Sequence, residues 1–317
     1  MFISNSIVVL LGIVVRLGIS KRIDELLLQD IECANKKIAW VHAVLILSKK
    51  IGVGSAKAND DFRAMLLRAG SVEAIYDEFF SFLPVDDSIA IKVYEKINRF
   101  RSLFESISCL DERYPKKLLD HKGTPPIIYT QGDISLLYAQ KSIAFVGTRQ
   151  LEDQRHINHG ERVLKRLMRS GYETIVSGLA EGSDTLGHDI AIKFGGRTIA
   201  VLGTPLDVCY PKSNTALQKE IGLSNLLVTE YPIGIGSFGS FFANRNRTTV
   251  ALSSDGVVVA RAGDKSGTQY AIRICLEQGK PLYVLENNIR ELSYSWVLKY
   301  KEKIKVIRED FDAGDHI

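Results

Sequence analysis

Ser142-Ile-Ala-Phe-Val-Gly-Thr-Arg149 decides how the rest of the chain is read. Ser142 to Val146 is a short apolar, β-capable run of the length of a buried strand. Gly147, Thr148 and Arg149 follow at once, and an amphipathic helical pattern begins a few residues later. A strand that runs into glycine, a hydroxyl and a cation before a helix N-terminus has the makings of an anion site. Glycine permits close approach of the backbone, unpaired N–H groups point outward, and the helix dipole favours negative charge. The same residues also describe a tight strand-to-helix turn with an exposed arginine, so this stretch alone leaves both readings open.

The device recurs. Strand candidates Thr174–Val176, Thr198–Leu202, Leu226–Thr229, Gly256–Ala260 and Leu282–Leu285 alternate with helical patterns over Gln154–Ser170, Asp184–Lys193, Asn214–Ile221, Arg245–Leu252 and Thr268–Gln278. Near-continuous apolar strands alternating with helices predict an α/β fold, a doubly wound, mostly parallel, extended Rossmann-like sheet. Ligands in such sheets lie beyond the carboxyl ends of the strands. Those ends carry Gly147-Thr148-Arg149, Ser177-Gly178 with Gly182 and Asp184, Gly203-Thr204 with Tyr210-Pro211-Lys212 and Asn214, Glu230-Tyr-Pro232, and Asp264-Lys265-Ser266-Gly267-Thr268. A convergent set of glycine, hydroxyl and basic loops is expected to bind phosphate groups.

Composition bounds the remainder. The 317 residues are 45% hydrophobic, enough for a large core, and the net charge of +4 permits a polyanionic partner without indicating one. Cys33, Cys109, Cys209 and Cys275 are dispersed, which fits free thiols in a reducing cytoplasm. Ile7 to Val15 is apolar but shorter than the roughly 20 residues that span a bilayer, so no membrane association is expected. Residues 1–35 are read as an N-terminal apolar extension and 36–107 as a small all-helical domain. Within it Ile51-Gly-Val-Gly54 joins two helices, as in a helix-hairpin-helix or as in an ordinary αα connection. Residues 108–290 hold the sheet, and 291–317 form a charged, helix-like tail.

Neither G-x-G-x-x-G at the first helix nor G-x-x-x-x-G-K-[ST] is present, which argues against a dinucleotide site and a P-loop. No metal site is expected. Asp184 and His188, at i and i+4, share a helical face as the best catalytic pair. With no nucleophile beside them, the reading adopted has both capping the helix and bonding nearby backbone, so no catalytic residue and no cofactor are assigned. In that role Asp184→Asn should cost about 1 kcal/mol or less. Phe241-Phe242-Ala-Asn-Arg245-Asn-Arg247 places two arginines directly after two aromatics, a combination suited to phosphate recognition and base stacking. The same residues also serve as a core phenylalanine with structural arginines.

Together these motifs resemble the DNA-processing protein A (DprA/Smf) family. The resemblance runs from Tyr114 to about Val284 through Tyr114-Pro115, Gly132-Asp133, Val146-Gly-Thr-Arg149, Ser177-Gly-Leu-Ala180, Val201-Leu-Gly203, Tyr210-Pro211, Glu230-Tyr-Pro232, Arg245-Asn-Arg247 and Ser266-Gly-Thr268. It implies a Rossmann-like domain, a helix-hairpin-helix or SAM-like helical domain before it, and no established catalysis. It further implies single-stranded DNA binding, homodimers and loading of a RecA-type recombinase in natural transformation or recombination. By position, Arg149 and Lys212 would be the leading phosphate ligands, with Gly147, Ser177, Gly178, Ser266 and Gly267 lining the pocket. Thr148, Gly182, Asn214, Arg245, Arg247, Lys265 and Thr268 complete the expected DNA-binding set.

The chain departs from that pattern at Ser183, Gly187, Thr204-Pro205 and Ala243. Arg261 stands where a glutamate is usual, and Glu286-Asn287 where the last strand would end in Pro-Gly. The last stretch also leaves no room for a winged helix. A divergent paralogue is implied, with recombinase loading and dimer geometry transferred less securely than DNA binding. Two other readings stand beside it: a sensor or hydrolase of a small nucleotide using the same loops, and a partner-binding protein with a degenerate pocket.

Overall fold

The computed structural model describes residues 22–291 and 294–309. The apolar run Ile7–Val15 lies outside the described residues. The chain begins with five helices, α1 (Ile23–Asp30), α2 (Ala34–Leu47), α3 (Ala56–Ala69), α4 (Val72–Phe80) and α5 (Asp87–Arg99). Ser55, Ser71 and Asp86 accept backbone N–H groups at the starts of α3, α4 and α5, and Gly70 ends α3 in the left-handed region. These caps divide an otherwise continuous helical pattern into short elements.

Nine strands form one sheet: β1 (Glu105–Ser108), β2 (Ile127–Gly132), β3 (Ser142–Val146), β4 (Thr174–Ser177), β5 (Arg197–Val201), β6 (Leu226–Thr229), β7 (Val257–Val259), β8 (Leu282–Leu285) and β9 (Ile304–Ile307). The spatial order is β1-β2-β6-β5-β4-β3-β7-β8-β9. Strands β6 through β9 in that order pair in parallel, whereas β1–β2 and β2–β6 are antiparallel. The mostly parallel, doubly wound sheet expected from the alternation is therefore present.

Side chains alternate between two covered faces. In β3, Ile143 and Phe145 join a core with Val163, Leu164 and Leu167, while Ala144 and Val146 join another with Ala271, Ile272 and Cys275. The helices responsible are α7 (Gln154–Arg169) and α8 (Ser183–Lys193) on the first face. On the second face lie α11 (Asn246–Leu252) and α12 (Thr268–Glu277), with the short α6 (Lys116–Leu119) nearby. Two more helices, α9 (Thr215–Ser224) and α10 (Gly239–Asn244), flank β6 in sequence, and α13 (Ser295–Lys299) precedes β9. Trp40, Leu45, Leu66, Ile75 and Ile97 of the helical region share one core with Tyr129, Leu227, Tyr231 and Phe241. The helices are thus packed directly on the β2–β6 side of the sheet.

Several boundaries differ from expectation. Strand β1 begins inside the 36–107 region read as all-helical, α1 lies within the stretch read as an apolar extension, and β9 lies in the tail read as helix-like. Strands β1 and β9 are four-residue edge strands whose existence depends on pairing with β2 and β8. Local periodicity carries little of that information. The Arg245–Leu252 helix is joined by the separate α10, and Gly54 (φ +82°) packs against the Tyr231 hydroxyl and the Asn244 amide. The Gly-Val-Gly turn is therefore a contact with the sheet side at Gly54.

Three buried titratable groups tie these layers. His42 Nδ1 lies 2.7 Å from the Tyr129 hydroxyl across the helix–sheet contact. His188 Nε2 accepts from Leu179 N–H at 3.2 Å, so its Nδ1–H donates to Thr198 Oγ1 at 2.6 Å. Burial lowers both imidazoles to about 3, and raises the Glu230 carboxyl, which accepts from Asn59 Nδ2 at 2.9 Å, to about 7. Below the ordinary value of 6.5 the unfolded chain protonates both histidines while the folded chain does not, so this contribution falls with falling pH. Folded Glu230 keeps its proton up to about 7 and the unfolded carboxyl only to about 4.5, so it opposes that loss between those values. Urea unfolding at a series of pH values should show Glu230→Gln losing stability more steeply than wild type between pH 6.5 and 4.5. Equal slopes would contradict the assignment.

Candidate functional site

The sheet reverses its winding at β3. The chain proceeds from β3 through β4 and β5 to β6 on one side, then crosses back to β7 on the other. The two loops leaving β3 and β7 therefore diverge, and a crevice opens between them. A cleft of about 630 Å³ occupies this point, lined by Gly147–Gln150, Ala180, Glu181, Asp184, Phe242, Arg245, Asn246 and Ser266–Thr268, among others.

The first loop is fastened to its neighbours through Thr148. Its N–H donates to Arg261 O at 2.7 Å, and its carbonyl accepts from Ser183 N–H at 3.0 Å and Ser183 Oγ at 3.1 Å. The expectation of outward-pointing N–H groups along this turn is thereby corrected at Thr148, whose donor is spent inside the fold. Arg149 is exposed, and its guanidinium carbon lies 5.7 Å from the Phe242 ring centre. Phe242 in turn meets Tyr210 at 4.9 Å between centroids. Arg149 and Phe242 line both the cleft and a smaller adjoining slot, which Gly203, Tyr210 and Pro211 also line. A side chain at Gly203 would stand 2.5 Å from the Phe242 ring, so glycine is what seats that ring.

Arg245 is only 5% exposed. Its guanidinium rests on Gly178, where any Cβ would overlap it, and its Nη2 lies 3.5 Å from Asp184 Oδ2. Burial pushes the Asp184 carboxyl up and the Arg245 guanidinium down. Arg245 Nε and Nη1 are buried without a hydrogen-bond partner. A buried cation with unspent donors thus lines the cleft beside its carboxylate partner.

Other expected residues are placed differently. Asn214 is buried and donates to Leu179 O at 3.0 Å and Thr185 Oγ1 at 2.8 Å, so it braces the second loop and does not line the cleft. Ser177 Oγ donates to Phe145 O at 2.5 Å, and Gly182 (φ +73°) stacks on the Thr148 and Arg149 carbonyls. Both are supports. Arg247 lies 3.8 Å from Glu277, its stem against Gly123, and does not line the cleft. Lys212 is exposed beyond Pro211, and Lys265 is exposed in the loop after β7. Asp264 accepts from Ser295 and Trp296 N–H at 3.0 and 2.9 Å, which pins that loop, while Ser266 Oγ caps Thr268 N–H at 3.2 Å. Arg261 turns away toward Asn287 O and Glu291 at 3.0 and 3.3 Å, into a separate cavity of about 310 Å³.

Gln150, Ala180, Glu181, Phe242 and Asn246 also line the cleft and stood outside the expected DNA-binding set, Phe242 having been left open between base stacking and the core. Phe242 carried a signal, an aromatic beside an Arg-Asn-Arg run, but its side was undecidable before the Gly203 contact was known. Of the carboxylates and imidazole at this end of the sheet, Asp184, His188 and Glu230 are committed to Arg245, backbone and Asn59. Glu181 sits at the mouth and accepts from Ser213 Oγ at 2.6 Å. Among the described residues no group of three metal-capable side chains gathers, and no helix is long and apolar enough to cross a membrane.

The Asp184–Arg245 pair changes the cost of substitution there. Neutralising one member of a buried pair leaves the other charge uncompensated, at about 3 to 5 kcal/mol. Asp184→Asn is therefore expected to lose about 3 kcal/mol in urea unfolding, and the double variant Asp184→Asn/Arg245→Met to recover part of it. A loss of only about 1 kcal/mol, the cost of a surface cap, would contradict a coupled buried pair.

Comparison with known proteins follows the same geography. The family model described as DNA recombination-mediator protein A matches residues 105–303, which include every strand but β9. The DNA processing protein DprA of Streptococcus pneumoniae is 35% identical over 211 residues, covering 66% of this chain and 70% of that protein. Protein Smf of Synechocystis is 36% identical over 185 residues, covering 56% of this chain and 45% of that protein. The X-ray structure of the S. pneumoniae protein superposes with a TM-score of 0.66 at 27% identity, over 87% of this chain and 95% of that one. A Helicobacter pylori structure, described for the single-stranded DNA binding mode of its DNA processing protein A, gives 0.58 at 29% identity over 67% and 93%. With its fold and its sequence both matching, the chain belongs to the DNA recombination-mediator protein A (DprA/Smf) family.

Proposed function

We propose that this protein binds single-stranded DNA in the β3–β7 crevice, without catalysis, and acts in DNA uptake or recombination. The observation that carries the reading is the Arg149–Phe242–Tyr210 row beside the unspent donors of Arg245. Arginine offers planar donors to phosphate, and an exposed ring offers any base a face to stack on. The H. pylori relative, described by its single-stranded DNA binding mode, supports carrying that ligand class over. Loading of a RecA-type recombinase, a homodimeric state and a cytoplasmic location belong to the same proposal, as the roles this family resemblance implies. Arg149, Phe242, Ser266, Gly267 and Thr268 are the proposed contact residues, with Lys212 and Lys265 on the approach.

A second reading has a specific observation behind it. A cleft of about 630 Å³ is also of a size that encloses a mononucleotide. The two readings separate in one titration. Fluorescence anisotropy should show single-stranded oligonucleotide binding with a log–log salt slope of about 0.7 per phosphate engaged. Mononucleotides should compete only weakly. Phe242→Ala should weaken binding about tenfold or more, because stacking contributes roughly 1 to 3 kcal/mol per base. Arg149→Ala should weaken it with little change in melting temperature. A flat salt response, tighter binding of duplex, or a mononucleotide that is bound better than the oligonucleotide and turned over would contradict the proposal.

A further inference from the structure

Helix α7 begins at the rim of the crevice, four residues after Gln150, and runs down the outer face of the sheet. Its buried side is His159, Gly160, Val163, Leu164 and Leu167. On its solvent side Arg155, Arg162, Lys165 and Arg169 fall at i, i+7, i+10 and i+14, within about 80° of one another and over about 21 Å of axis. Arg155 pairs with Asp153, and Lys165 with Glu161. Among the described residues Arg162 and Arg169 have no acidic partner.

The lower end of this row meets an aromatic ring. Phe194, just after α8, is 45% exposed, and the ammonium groups of Lys165 and Lys193 lie 4.3 and 5.9 Å from its ring centre. One acid is interleaved on this face, Glu161, which pairs with Lys165 at i+4, while Arg162–Lys165 and Lys165–Arg169 are like-charge neighbours, each mildly unfavourable. The helix dipole accounts for cations in the last turn, and Asp153 for Arg155 in the first, but neither accounts for a half-exposed phenylalanine between two lysines. A row of cations ending at an exposed ring is the combination that holds single strands without sequence preference.

We propose that the solvent face of α7, from Arg155 to Arg169 and ending at Phe194, is a track that holds the single strand where it leaves the crevice. This inference rests on the crevice reading above. The cations engage successive phosphates and Phe194 stacks one base. The strand therefore occupies two contiguous surfaces, and affinity grows with length until the track is filled.

Anisotropy titrations with oligothymidylates of about six and about thirty nucleotides test this, since single-strand sites of this kind span about 4 to 16 nucleotides per module. The variants are Arg162→Ala/Arg169→Ala/Phe194→Ala for the track, Lys92→Ala/Lys219→Ala as a charge-matched control elsewhere, and Arg149→Ala for the crevice. Thermal melts confirm that each folds. The track variant is expected to bind the long strand about tenfold or more weakly, with a salt slope lower by about 1.4, and the short strand as wild type does. The control should match wild type on both, and Arg149→Ala should weaken both. A track variant that binds the long strand like wild type overturns the track and leaves the crevice reading standing. An Arg149→Ala protein unchanged on both strands overturns the crevice reading, and with it a track that continues from it. Wild type binding neither strand overturns both. Competition by polyglutamate as effective as by the long strand would assign the surface to an acidic protein and overturn the proposal.

Discussion

One buried ion pair sets the shape of the crevice. Arg245 is brought against Gly178, at the end of β4, and against Asp184, in the first turn of α8. An arginine so placed is tolerated because a carboxylate shares its burial and because the position beneath it has no side chain. The second loop must therefore fold tightly, and its polar atoms are consumed in doing so. Ala180 N–H donates to Asp184, Leu179 N–H to His188, and Asn214 to Leu179 O. What the cleft can offer a ligand is whatever this internal bonding leaves over: Arg149, Phe242, the Ser266–Thr268 turn and the charge of the buried Arg245. That remainder is cationic, aromatic and hydroxylic, and Glu181 at the mouth is held by Ser213 Oγ.

The topology places these residues at one point. Strand β3 is flanked by β4, reached by the next crossover, and by β7, reached after three more strands. The two loops at its end belong to opposite directions of winding, so beyond the bond from Thr148 N–H to Arg261 O they part and leave a crevice. On the β6 side the crevice is backed by α10, whose Phe241 stacks on Tyr231 at 3.9 Å, and Tyr231 in turn meets Gly54 of the helical region. The helical region is thus in mechanical contact with the helix that carries Phe242.

How much of this was legible in the sequence follows from what each feature depends on. The parallel strands are fully buried runs such as Ser142–Val146, bounded by glycine, and local pattern is enough to find them. Strands β1 and β9 were missed because Glu105–Ser108 and Ile304–Ile307 become strands only beside β2 and β8. The phosphate-facing loops could be named from their glycines and hydroxyls, and Gly147, Thr148, Arg149, Ser266, Gly267 and Thr268 do line one cleft. Asn214 and Arg247 could not be separated from them, since a polar side chain's choice between ligand and backbone is made by distant partners such as Thr185 and Glu277. Arg245 was open to both roles, and it is buried and paired while still lining the cleft.

The central claim is that single-stranded DNA lies along the β3–β7 crevice with a base on Phe242. Photocrosslinking of a 5-iodouracil-substituted oligonucleotide, followed by mass spectrometry of the labelled peptides, tests it most directly. The account predicts covalent attachment at Phe242 or Tyr210. Attachment confined to the Gly52–Gly54 turn of the helical region, or to peptides remote from the crevice, would contradict it.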